Sequence, residues 1–187
     1  MDQNRMAVLI AIVVIGVIAV AAIAFVTSRK RRSQKLKERF GPEYDRVMRQ
    51  EGDSRRAEGV LEFRQKRREK FNIRPLSGAN RSSFAERWSE VQARFVDDPQ
   101  GAVTLADSLV TDVMQARGYP IGAFDQRAAD LSVDYPVIVD NYRAAHDIAL
   151  RHSSGEASTE DLRQAMVHYR LLFQELLDEP KIERRGA

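Results

Sequence analysis

The sequence predicts an all-α protein: a single N-terminal transmembrane helix, a basic helical stem, and a C-terminal antiparallel bundle of four main helices plus one short helix. Three observations predict it. Met6 to Val26 runs 21 residues without a charged or strongly polar side chain. No later stretch alternates apolar and polar residues with the period of a strand. Beyond residue 77, apolar residues recur at helical spacing in four long segments separated by short connections, which favours an antiparallel bundle.

The apolar run comes first. At 1.5 Å rise per residue it makes a helix of roughly 31 Å, against a hydrocarbon core of about 30 Å. A single helix pairs its own backbone N–H and C=O groups, as lipid requires. A buried helix of a water-soluble fold is the alternative, but such helices seldom stay apolar on every face for so long. Residues 1–5 carry one acidic and one basic side chain, whereas Arg29, Lys30, Arg31, Arg32, Lys35 and Lys37 follow the run closely. An excess of Lys and Arg marks the cytoplasmic flank. The expected topology is therefore a single-pass cell-membrane protein, with residues 1–5 outside, 6–26 spanning, and everything from Thr27 onward in the cytoplasm. A cleaved signal peptide with Ala22-Ile23-Ala24 as its processing site, and hence a secreted product, is the rival. Signal peptides place positive charge before a shorter apolar region, the reverse of the order here.

Net charge is +3 over 187 residues, and that value hides an asymmetry. Ser28 to Arg74 holds 17 Lys and Arg against 8 Asp and Glu; Pro75 to Ala187 holds 12 against 18. A basic stem, 27–76, thus precedes an acidic bundle, 77–178, and a polar tail, 179–187. Within the stem, Lys30 to Phe40 reads as a continuation of the first helix. Gly41-Pro42 breaks it, and Pro42 suits the first turn of a helix to about Gln50 with Tyr44, Val47 and Met48 on one side. Gly52 breaks again, and Asp53 or Ser54 caps a helix to about Phe71. The apolar content of that helix is thin (Ala57, Val60, Leu61, Phe63, Phe71), and Gly59 in its interior costs about 1 kcal/mol, so alone it is marginal.

The bundle's elements follow in order. A helix over about Gly78–Val96 places Phe84, Trp88, Val91 and Phe95 on one face. Asp98 as N-cap and Pro99 at the first helical position start the next, whose stripe is Val103, Ala106, Leu109, Val110, Val113 and Met114 and which Gly118 ends. A short helix spans about Phe124–Leu131. Another, from Tyr135 or Pro136 to about His152, packs Ile138, Tyr142, Ala145, Ile148 and Ala149. The last begins with Ser158 as N-cap and Asp161 three residues on, a variant of the capping box. Its stripe is Leu162, Ala165, Met166, Tyr169, Leu172, Phe173, Leu176 and Leu177.

The strings RFGPEYDRVM, VQARFVDDP, RGYP, QRAADLSVDYP, NYRAAH and STEDLRQAMVHYR together resemble a family of uncharacterised bacterial single-pass membrane proteins with a C-terminal helical domain. The resemblance covers most of the chain after the apolar run. It implies a span followed by a cytosolic helical domain, and no activity, ligand or catalytic residue.

The chemistry is sparse. With no cysteine, disulfides, thiolate metal sites and Cys nucleophiles are excluded. His146 and His152 are six apart, off a common helical face, and His168 stands alone, so no metal site is expected. No phosphate-cradling glycine motif and no nucleophile elbow occurs. Abundant Asp and Glu read as caps and solvated faces. Tyr142-Arg143 and Tyr169-Arg170 recur on the last two helices and could form an anion- or peptide-binding partner face, the alternative being core-edge tyrosines with solvated or paired arginines. The basic cluster could meet anionic lipid headgroups or act only as a topology signal. Interspersed acidic residues argue against a nucleic-acid arm. The expected function is a non-enzymatic, membrane-tethered scaffold with no cofactor, held by the lipid bilayer and recruiting an unidentified protein partner. The alternative is an enzyme or small-ligand sensor with a site between bundle helices.

Overall fold

A computed structural model describes residues 2–178, with side chains from residue 15 onward. These residues form eight helices and no strand: α1 Asp2–Phe40, α2 Pro42–Glu51, α3 Ser54–Arg68, α4 Gly78–Arg94, α5 Pro99–Ala116, α6 Phe124–Asp134, α7 Val139–Ser153 and α8 Thr159–Leu177. The all-α expectation holds. Among the described residues, no helix is long and apolar enough to cross a membrane. The expected span Met6–Val26 lies partly outside the described side chains, and its described part, Ile15 to Val26, is 12 residues long. The expected tail 179–187 lies outside the described residues.

Local chemistry sets the helix boundaries. α1 runs unbroken through the apolar stretch into the basic one and stops where Gly41 takes φ 47°. Pro42 then occupies the first turn of α2. Asp53 caps α3 by accepting from the Arg56 amide at 3.0 Å, and Asp98 caps α5 by accepting from Gly101 at 2.8 Å. Ser158 and Asp161 cap α8 reciprocally: Asp161 N–H donates to Ser158 Oγ at 3.2 Å, and Ser158 N–H donates to Asp161 Oδ2 at 2.8 Å.

Three boundaries differ from expectation. α3 stops at Arg68, because the Lys70 and Phe71 amides turn back onto the Arg67 and Arg68 carbonyls. α6 runs one turn further, to Asp134. α7 starts late, at Val139, because the Ile138 and Val139 amides both close on the Tyr135 carbonyl around Pro136. Pro136 thus sits in a turn between two helices and does not open the second. Gly118, φ 93°, lets the chain after α5 pass under the 69–77 connection; a Cβ there would run into the Asn72 carbonyl, and Arg74 N–H donates to Arg117 O at 2.9 Å.

Two cores result. The larger is built by α4, α5, α7 and α8 with Ala128 and Leu131 of α6, with α8 packed between α5 and α7 and with Trp88 stacked on Phe173 at 4.6 Å between ring centroids. The expected stripes of α5 and α8 are buried almost residue for residue. The smaller core belongs to the stem: Leu36 and Phe40 of α1, Tyr44 and Val47 of α2, Ala57 and Leu61 of α3, joined by Val133 of α6. Each stem helix gives two residues, too few for a stripe on any one of them, yet enough when three helices pool them. Phe63 is left 65% exposed. Leu76, the last residue of the expected stem, lies in the larger core together with Phe71 and Ile73 packed against it, Val133 lies in the smaller one, and the two cores touch through α6, which packs on α1, α3 and α7.

Leu61→Ala and Leu109→Ala remove fully buried side chains from the two cores, and each should destabilise the full chain by about 2–5 kcal/mol. Phe63→Ala and Arg163→Ala should cost less than about 0.5 kcal/mol. Denaturant titration followed by circular dichroism measures all four.

Candidate functional site

The side chains that join stem to bundle are charged. Glu43, on α2, is fully buried. Its carboxylate accepts from Arg64 of α3 at 2.5 Å and from both terminal nitrogens of Arg143 of α7 at 2.8 Å. Arg46 stands 4.0 Å away, and burial, together with the nearby Arg143 guanidinium, pushes its pKa below the ordinary value. Arg64 also donates to Ser132 Oγ at 3.2 Å. One turn along α3, Arg67 donates to Asp130 at 2.9 Å and Arg68 to Asp134 at 2.8 Å, while Tyr119 O–H donates to the same Asp134 at 2.6 Å. The basic stem is thus matched to an acidic edge of α6, and charge-assisted, partly bidentate pairs fix the register.

A second constellation lies inside the bundle. Tyr142 and Tyr169 are both fully buried, their rings 6.3 Å apart. Tyr169 O–H donates to Asp107 at 3.2 Å; Arg127 Nε donates to Tyr142 O at 2.9 Å, and its guanidinium lies 3.6 Å from Asp107. Burial pushes the Tyr142 hydroxyl up to about 12, and Asp107 acts in the same direction. Burial raises Tyr169 and Tyr119 further. These hydroxyls stay protonated at neutral pH and serve as bundle-spanning hydrogen bonds, with every polar group in the set already engaged.

The four residues of the expected partner face do not share one surface. Tyr142 and Tyr169 are core, and Arg143 is committed to Glu43. Arg170 alone is exposed, beside a shallow cleft of about 140 Å³ between α4 and α8 that Trp88, Phe95 and Met166 line. The histidines stay apart: His146 stacks on Phe124 at 3.6 Å, His168 Nδ1 lies 2.8 Å from Asn141 Oδ1, and His152 Nδ1 lies 3.2 Å from the Ala157 carbonyl. Among the described residues, no group of His, Cys, Asp and Glu could hold a metal ion.

The six cations of the basic cluster divide by helix face. Arg29 lies over the Phe25 ring and Lys37 over the Tyr44 ring, at 5.9 and 5.2 Å. Arg32 pairs with Glu62 of α3. Lys30, Arg31 and Lys35 are exposed and make no ion pair among the described residues. Arg31, Arg32 and Lys35 line a groove of about 680 Å³ between α1 and α3, and Arg39, outside the expected cluster, extends it. The spacing 31, 35, 39 marks one face of α1 and was legible in the sequence; the facing Glu62 and Gln65 were not.

Glu43 and Arg117 escaped sequence reasoning. Arg117 is fully buried at the end of α5, donating to the carbonyls of Leu176 at 2.8 Å and Asp178 at 3.2 Å, where it closes the C-terminus of α8. Its position just before Gly118 offered a helix-end signal but none for burial. Comparison with protein families, curated proteins and solved structures finds no match for this chain.

Two outcomes follow from this geometry. Glu43→Gln keeps the shape but removes the charge between Arg64 and Arg143, and should destabilise by about 3–5 kcal/mol, read by thermal unfolding. Tyr142 has its folded-state pKa raised from 10.0 to about 12. Its contribution is fully present below pH 10.0 and is lost as pH rises through about 12. Stability should fall across that window, and Tyr142→Phe should remove part of the fall; denaturation midpoints against pH measure it.

Proposed function

We propose that this chain is a single-pass, membrane-tethered, non-enzymatic scaffold, with its helical bundle in the cytoplasm and a protein partner as its target. One observation carries the reading. α1 is a single unbroken helix whose apolar part, over its described side chains Ile15 to Val26, stands exposed, with Ile15, Val20, Ile23 and Val26 each more than 60% exposed, and whose basic part is locked into the stem core by Leu36 and Phe40. A bare apolar rod of this kind is unfavourable in water and suited to lipid. The side chains before Ile15 continue the apolar sequence to Met6. The cation excess on the bundle side orients the chain.

Because the stem docks onto the bundle, the tether holds the bundle at a set distance from the bilayer. Tethering makes encounter with another membrane-bound partner effectively intramolecular. The tyrosine–arginine–aspartate set inside the bundle is closed on itself, which favours a structural role over a catalytic one. The layout agrees with the family resemblance in the sequence.

A reporter active only in the cytoplasm, fused after Ala187, should be active, and the chain should stay with membranes after alkaline carbonate washing. Release by carbonate would overturn the tether, and activity of a reporter that works only outside the cytoplasm would overturn the orientation.

A further inference from the structure

We propose that the groove between α1 and α3 holds the headgroup of a lipid bearing a diphosphate, with its hydrocarbon tail lying along the exposed apolar side of α1. The proposal rests on the membrane-tethered reading and names the lipid chemistry that reading leaves open.

Three features of the groove select this ligand. The first is charge. Arg31, Arg32, Lys35 and Arg39 line it against one carboxylate, Glu62, which pairs with Arg32. Arg31, Lys35 and Arg39 make no ion pair among the described residues. Such an excess suits a group with two or three negative charges better than the single charge of a phosphodiester. Guanidinium forks bind phosphate oxygens two at a time, and the lysine adds a point charge.

The second is depth. Counting from Val26, where the apolar run ends, Arg31 lies about 7–8 Å further along the axis, Lys35 about 13–14 Å and Arg39 about 20 Å. A bilayer's polar layer is about 5–8 Å thick on each side. Arg31 and Arg32 would therefore sit among the first phosphates, while Lys35 and Arg39 project beyond them. A second phosphate directed outward from the first comes within reach of the Lys35 side chain, and of Arg39 where its long side chain leans back toward the N-terminus of α1; a headgroup with one phosphate leaves them unused.

The third is the groove's lower end. Ala24, Thr27 and Ser28 line it there, and it opens toward the apolar surface that includes Val20 and Ile23, both more than 60% exposed. The small side chains at 24, 27 and 28 leave room for a chain to leave the groove along the helix. A soluble diphosphate would use only the cationic part, and a lipid uses both. The volume, about 680 Å³, accommodates such a headgroup. Across α1, Arg29 and Lys30 line clefts with Phe25, Ser54 and Glu58, one of them bordered also by Arg32 and Arg55, so cationic charge exists off the groove as well.

The experiment uses the full chain in a nonionic detergent and native mass spectrometry to read bound ligand. Farnesyl diphosphate, farnesyl monophosphate and inorganic pyrophosphate are the three probes. Farnesyl diphosphate should bind one per chain, about tenfold tighter than the monophosphate, and pyrophosphate should bind more weakly than farnesyl diphosphate for want of the tail. The triple variant R31Q/K35Q/R39Q should lose about a hundredfold in affinity, at about fivefold per cation. R29Q/K30Q/K37Q removes the same charge off the groove and should lose far less. Equal loss in the two variants would reduce the groove to diffuse attraction and overturn the proposal. Pyrophosphate binding as tightly as farnesyl diphosphate would assign the groove to a soluble anion and overturn the lipid, and monophosphate binding equally well would overturn the diphosphate. Carbonate washing of membranes holding the same proteins keeps the two readings distinct: retention without ligand binding sinks the groove alone, and release sinks the tether as well. Unchanged helicity by circular dichroism confirms that the variants fold.

Discussion

The fold depends on one buried carboxylate. Glu43 sits on the second helix of the stem, and the Arg143 that holds it lies 100 residues further on, in the bundle. Arg64, between them in sequence, belongs to the third stem helix. Removing Glu43 from water costs several kcal/mol, and that cost is offset only because two guanidiniums supply three hydrogen bonds. A slipped register of α2 against α7 would leave the charge unpaired and buried, which is far costlier than the correct register. The contribution of Glu43 is thus chiefly one of selection: it makes one relative placement of stem and bundle acceptable and penalises the neighbouring ones.

That selection explains why the chain's charge is so unevenly distributed. Arg64 pairs with Glu43 inside the stem, whereas the α3 cations at 67 and 68 are taken up by Asp130 and Asp134 of α6, so part of the basic excess of the stem and part of the acidic excess of the bundle face each other. Attraction between unlike charges draws the two parts together, in place of a spacer that keeps them apart. What remains of the stem's positive charge for an external ligand lies partly on α1, at residues 29, 30, 31, 35, 37 and 39, and partly beyond it, at 49, 55, 56, 66, 70 and 74, none of which makes an ion pair among the described residues. Net charge per segment, read from the sequence, counts both populations as one.

Much of the fold was legible. Asp98-Pro99, Ser158 with Asp161, and Gly41-Pro42 each mark a helix end by chemistry confined to four or five residues, and the α5 and α8 stripes declare their buried faces by spacing alone. The late start of α7 was not legible, because Pro136 is acceptable both in a first helical turn and in a tight turn, and the choice was made by the Tyr135 carbonyl. The stem core was hidden for another reason: Leu36, Phe40, Tyr44, Val47, Ala57 and Leu61 come two to a helix, below what periodicity resolves. The site was harder still. Nothing local distinguishes Glu43 from Asp45, or Arg143 from Arg170; the difference lies in partners 21 to 100 residues away. The repeated Tyr-Arg pair illustrates the point, since its tyrosines went to the core and its arginines went separate ways.

The paths of the three stem helices add a geometric consequence. Ser54 and Glu58, at the start of α3, share a cleft with Phe25, Val26 and Arg29, whereas Glu62 and Gln65 lie alongside Arg32 and Arg39. α3 therefore runs parallel to α1, and α2 returns between them, so the Gly52–Asp53 elbow stands level with the end of the apolar run. In the proposed membrane setting the stem meets the bilayer over the width of three helices. A lone helix can tilt freely about the boundary, but one braced by a docked elbow and by Glu43 transmits its tilt to the bundle. A ligand that fills the α1–α3 groove would act at the base of this brace, where a small change in the separation of two helices becomes a larger displacement of the bundle above them.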